Sequence, residues 1–107
     1  MRRAAREHRG MYLVHVWLCR AVEGAPPREL AEEFRAAAAP DEGVEHAVAH
    51  HVSGRETVVG LFLRLDGLAA AERAAAAVCA RVLDRHAAWG FAAVSCEAVL
   101  IMPVPEP

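Results

Sequence analysis

The sequence predicts an α+β fold whose elements run β-α-β-β-α-β. Four runs rich in branched and aromatic residues are interleaved with two Ala-rich helical patterns. The middle two extended runs are separated only by Ser53-Gly54-Arg55-Glu56, a spacing that reads as a hairpin. Glycine and proline punctuate the other junctions, at Gly24 to Pro27, at Pro40 and at Gly90.

The first strand is MYLVHVWLCR, residues 11–20, bounded by Gly10 and Gly24. EGAPP then breaks the chain, and Pro27 suits the first turn of a helix. In RELAEEFRAAAA, Leu30 and Phe34 lie four apart with Ala31 and Ala38 beside them, an amphipathic helix that Pro40 ends. Strands follow at 44–52 and 57–65. Asp66 is placed to cap a long helix from about Leu68 to His86, with the stripe Leu68, Ala71, Ala75, Val78, Val82 and Trp89 toward the core and Gly90 near its end. The last strand, 92–102, cannot extend through Pro103, Pro105 and Pro107. One domain over 11–102 is therefore expected, between a basic tail, 1–10, and a Pro-rich tail, 103–107.

Composition narrows the setting. Of the 55% apolar residues, 24 are Ala, which favours helix more than it fills a core. Every one of the 12 basic residues is Arg, and there is no Lys, Asn or Gln. Folding physics does not ask for that bias; a high-GC bacterial genome does. The net charge of −2 offers no general attraction to nucleic acid or to an anionic membrane. Cys19, Cys79 and Cys96 are odd in number and widely spaced, which suits reduced thiols and a cytoplasmic chain. The nine-residue apolar run after the basic tail is too short to cross a bilayer. Neither a Gly-rich phosphate loop nor G-x-S-x-G occurs, and Tyr12, Trp17 and Phe62 lack the basic company of an RNA-binding sheet.

The β-α-β-β-α-β order over residues 11–102 resembles the ferredoxin-like fold. That resemblance implies a four-stranded antiparallel sheet ordered 4-1-3-2 with both helices on one face. In the central strands, however, both faces are apolar. The helices can cover Tyr12, Val14, Val16 and Leu18 with Val59, Leu61, Leu63 and Leu65; Met11, Leu13, Trp17, Val58 and Phe62 remain, and Val99 and Ile101 enlarge the set. An apolar face of this kind marks an interface, and a homodimer is the commonest solution. This face resembles that of the dimeric α+β barrel proteins, in which two such sheets pack around a small-molecule cavity. The family includes antibiotic-biosynthesis monooxygenases that act without metal or flavin, and haem-degrading enzymes.

Histidines cluster in VEHAVAHHV, residues 44–52. In a strand His46 and His50 share a face but stand about 13 Å apart at ~3.3 Å per residue, too far to share one zinc, and His51 points the other way. No metal site is expected, and no cofactor. The candidate catalytic set is His15 with Glu97 and Arg64: the strand order makes His15 and Glu97 neighbours, a carboxylate orients an imidazole for general-base work, and Arg64 suits an anionic oxygen. Trp17, Phe62, His46 and His50 are the candidate ligand-binding residues, walling an apolar cavity for a small aromatic. His8 and His86 read as surface residues. Two functions are expected: a homodimeric accessory or binding protein with a partner protein or small ligand, or a cofactor-independent oxygenase, cyclase or isomerase.

Overall fold

A computed structural model describes residues 10–103, with side chains through Val99. Most of the basic tail, His8 included, the chain beyond Pro103 and the side chain of Ile101 lie outside the described residues. The elements are β1 (Gly10–Cys19), α1 (Leu30–Ala37), β2 (Val44–His51), β3 (Glu56–Leu65), α2 (Leu68–Arg85) and β4 (Ala92–Pro103), with 3₁₀ turns at Pro40–Glu42 and Ala87–Trp89. The strands form one antiparallel sheet ordered β2-β3-β1-β4, the expected order read from the other edge, and the fold is ferredoxin-like α+β.

Strand alternation decides the core. Along β1, burial strictly alternates: Tyr12, Val14, Val16 and Leu18 are buried against the helices while their neighbours are only half-buried. Val59, Leu61 and Leu63 join them from β3, and Leu30 and Phe34 from α1. α2 contributes a broader stripe than its period suggests, Ala71, Ala74, Ala75, Val78, Cys79 and Val82. Alanine at three of these positions lets the helix backbone approach the sheet closely. Leu68 departs from the expectation. It is 44% exposed, because it occupies the first turn of α2, beyond the part of the helix that the sheet covers. The N-cap is Gly67 rather than Asp66.

Two edge strands carry irregularities that the sequence pattern does not signal. On β2 the register shifts between Val44 and His46. Val44 therefore pairs with Leu63, on the helix-facing side, whereas Val48 pairs with Gly60 on the open side. On β4 the register shifts twice, leaving Val94 and Val99 out of step with β1 and exposed. The Ala98 N–H beside one shift donates to Glu72 Oε2 on α2 at 3.0 Å. Gly43 is fixed by geometry: its φ is 71°, and a Cβ there would stand 2.5 Å from the Arg64 carbonyl oxygen.

An ion pair ties α2 to the 3₁₀ turn that follows α1. Arg81 on α2 donates to both carboxylate oxygens of Glu42 and, at 2.6 Å, to the carbonyl of Ala37 at the end of α1. Glu42 in turn accepts the Ala39 N–H at 2.7 Å. The hydrogen bonds from Arg81 hold the Glu42 carboxyl below its usual 4.5, so the pair stabilises the fold at neutral pH and fades as pH falls below that value. Glu42→Ala is expected to cost about 2 kcal/mol at pH 7, the range of hydrogen bonds to charged groups. The urea midpoints of wild type and variant should draw together as pH falls below 4.5 and the native carboxylate takes up its proton. A gap that stays constant with pH would assign the loss to packing instead.

Candidate functional site on the open face of the sheet

The face turned away from the helices is ordered in rows by the ladder. His15 lies at its centre, directly opposite Gly60 on β3 and Glu97 on β4. One row along, Leu13 faces Phe62, which faces His46. In the other direction Trp17 lies between Val58 and Ser95, and His50 flanks Val58. The expected neighbours His15 and Glu97 are thus brought together. So are His46 and Phe62, whose rings stand 5.9 Å apart and tilted by 39°. His51 pairs with Thr57, on the other face from His50.

The catalytic set does not assemble as a whole. Arg64 lies opposite Met11, four residues along β3 from Gly60 and hence about 13 Å from the His15 row at ~3.3 Å per residue. Its Nε donates to Glu45 Oε2 at 3.2 Å, the carboxylate that the β2 irregularity brings to the edge. Neither the His15 nor the Glu97 side chain makes a hydrogen bond or ion pair among the described residues. Gly60 makes the centre of the face shallow. A Cβ there would meet Leu13 Cδ1 and Val48 Cγ2, both at 3.3 Å, so these two side chains already lean over it.

The chemistry that sequence reading missed lies elsewhere. A pocket of about 760 Å³, open to solvent, sits at the end of the sheet where β1 leaves, the β2–β3 hairpin turns and β4 begins. Cys19, Arg20, Glu23, Arg55 and Glu56 contribute to its walls. Arg20 is committed to structure there: it donates to the carbonyls of Ala25 at 2.7 Å and Gly24 at 3.3 Å, and its guanidinium lies 4.7 Å from the centre of the Phe91 ring. Arg55 leans toward Glu23 at 4.0 Å. Two arginines and two glutamates line the pocket, which leaves little net field for an ionic ligand.

His86 is not a free surface residue. Its Nε2 lies 2.9 Å from Glu33 on α1, and its ring stacks on Trp89 with centroids 4.0 Å apart. The pair ties the end of α2 to α1 across 53 residues of sequence, and no local motif announces it. Among the thiols, Cys79 is buried, and burial pushes it up to about 12; burial raises Cys96 as well. Neither thiol has the depressed value that a nucleophile requires.

Among the described residues, no group of three His, Cys, Asp or Glu converges as metal ligands would. No described helix is long and apolar enough to cross a membrane. No protein-family model, curated protein or solved structure matches the chain. The geometry of the open face therefore carries the functional reading.

Proposed function

We propose that the chain is a homodimeric accessory or binding protein that self-associates through the open face of its sheet. The observation that supports this is the row of Leu13, His15, Trp17 and Phe62, large side chains left half-buried on the side of the sheet that neither helix covers. A sheet with one solvated face would carry polar residues there. The face is large enough: ten residues by four strands project to roughly 600 Å², near the ~800 Å² per partner of a standard interface once side-chain relief is counted. Two such sheets packed together would give the architecture of a dimeric α+β barrel.

One observation favours a second reading. The register that sets His15 opposite Glu97 on an apolar face suits a general base acting on a small aromatic. Arg64, bound to Glu45 at the far end of the face, would have no part in it.

Native mass spectrometry with sedimentation of the untagged chain tests the first reading. The expected result is a dimer at micromolar concentration with no bound mass. A dimer carrying a reproducible organic ligand would favour the second reading. A monomer across the accessible concentration range would remove the first.

A further inference from the structure

We infer that Cys96 and Cys79 form a peroxide-responsive thiol pair, in which Cys96 takes the oxidant and Cys79 closes an internal disulfide that staples β4 to α2. The pair lies on the helix-facing side of the sheet, so it is independent of whatever covers the open face.

The hydrogen bond from the Ala98 N–H to Glu72 Oε2, at 3.0 Å, fixes α2 against β4. Cys79 follows Glu72 by two turns and lies within about 20° of the same side of the helix. Cys96 precedes Ala98 by two residues in β4; the two pair with Val16 and Val14, both fully buried beneath the helices. The end of α2 leads through the turn at Ala87–Trp89 into the start of β4, so the strand runs back along the helix. From the Glu72–Ala98 contact, Cys79 is therefore about 10 Å along the helix at 1.5 Å per residue, and Cys96 about 7 Å along the strand in the same direction at ~3.3 Å per residue. The thiols sense one another accordingly. Burial pushes Cys79 up to about 12 and its neighbour Cys96 adds to the rise, while burial and then Glu72 raise Cys96. Cys96 thus stands between Glu72 and Cys79. A disulfide needs Cα atoms within about 7 Å, and the alanines at 71, 74 and 75 bring the α2 backbone close to the sheet.

Access sets the two roles. Cys79 is 2% exposed, whereas Cys96 is only partly buried, so hydrogen peroxide meets Cys96 first. The Cys96 thiolate attacks one peroxide oxygen and the O–O bond breaks; the hydroxide released takes a proton to become water, and Cys96 becomes a sulfenic acid. The Cys79 thiolate then attacks the Cys96 sulfur. The S–S bond forms, the S–O bond breaks, and the second hydroxide leaves as water. Two thiols and one peroxide give one disulfide and two waters, the sulfurs losing the two electrons that the peroxide gains. Both steps consume a thiolate. Glu72 faces Cys96, the thiols face one another, and β1 turns the uncharged Val14 and Val16 toward them, so nothing there lowers either thiol. The response is therefore slow at neutral pH and speeds about tenfold from pH 7 to pH 8, as the thiolate fraction does.

Hydrogen peroxide added to the folded Cys19→Ser chain, followed by alkylation with N-ethylmaleimide in denaturant and intact-mass measurement, tests the pair. The expected product has lost the mass of two hydrogens and takes up no maleimide, and its half-time shortens about tenfold from pH 7 to pH 8. In the same background Cys79→Ala should instead gain oxygen at Cys96, and Cys96→Ala should leave Cys79 open to alkylation. Wild-type protein gives the same decision without substitutions: a proteolytic map after peroxide should join the Cys79 and Cys96 peptides. Oxygen gained at Cys96 while Cys79 of the same chain still alkylates overturns the pair. So does a disulfide that joins two chains or that involves Cys19. Both thiols intact after an exposure that oxidises Cys19 in the wild type would also overturn it.

Discussion

Phe34→Ala is expected to lower the thermal midpoint by roughly 15–25 °C, the equivalent of about 4 kcal/mol in a domain of this size. Phe34 is fully buried and is the largest of the side chains with no exposure. It projects from α1, only eight residues long, too short to be stable without the packing of its apolar face. Removing the ring leaves a cavity beneath a helix whose remaining buried residues are Leu30 and Ala37. A loss of this size takes a large share of the 5–15 kcal/mol that holds a typical domain together. Phe34→Leu, which keeps most of the volume, should cost roughly 1 kcal/mol. Calorimetry or urea titration with circular dichroism measures both. Equal midpoints for Phe34→Ala and wild type would mean that α1 contributes little to the cooperative fold.

Phe34 was legible in the sequence because it stands four residues after Leu30 in a helix with polar flanks. The strand order was legible for a similar reason: apolar alternation on both faces of residues 11–19 and 57–65 marks them as the central pair, and the hairpin at 53–56 fixes their neighbour. The adjacency of His15 and Glu97 followed from that order. What stayed hidden depends on the hydrogen-bond ladder and on long-range pairing. A bulge inserts a residue without altering the apolar pattern, so nothing in VEHAVAHHV showed that Val44 and Val48 face opposite sides. The same shift delivers Glu45 to Arg64, which already stands four residues along β3 from the His15 row. Arg81 and Glu42 are 39 residues apart, and the two ends of such a pair carry no mutual signal in a single sequence. Leu68 fits the helical period, but period gives the face of a helix and not how far the sheet beneath it extends.

Trp17→Glu is expected to yield a folded monomer, with the dimer weakened at least ~100-fold, about 2.7 kcal/mol. The side chain is on the open face and half-buried in the isolated chain, so the fold does not rely on it as it does on Phe34. Glutamate keeps the backbone N–H and C=O that pair position 17 with Val58 and Ser95. In the proposed dimer, two carboxylates per assembly would instead enter an apolar layer with no cation in their row, and burying an unpaired charge costs far more than the lost aromatic contact. Position 17 is thus chosen to separate assembly from folding. Sedimentation velocity across a dilution series reads the first, and far-ultraviolet circular dichroism with a urea titration reads the second. Trp17→Phe, which keeps an apolar ring, should remain dimeric with an affinity within about tenfold of wild type. If Trp17→Glu unfolds the chain, the less intrusive Leu13→Ser should still weaken the dimer while the core residues on the other face of β1 are untouched. A folded Trp17→Glu protein that dimerises with undiminished affinity would place the interface away from this face, and the apolar rows of β1 and β3 would then need a different partner.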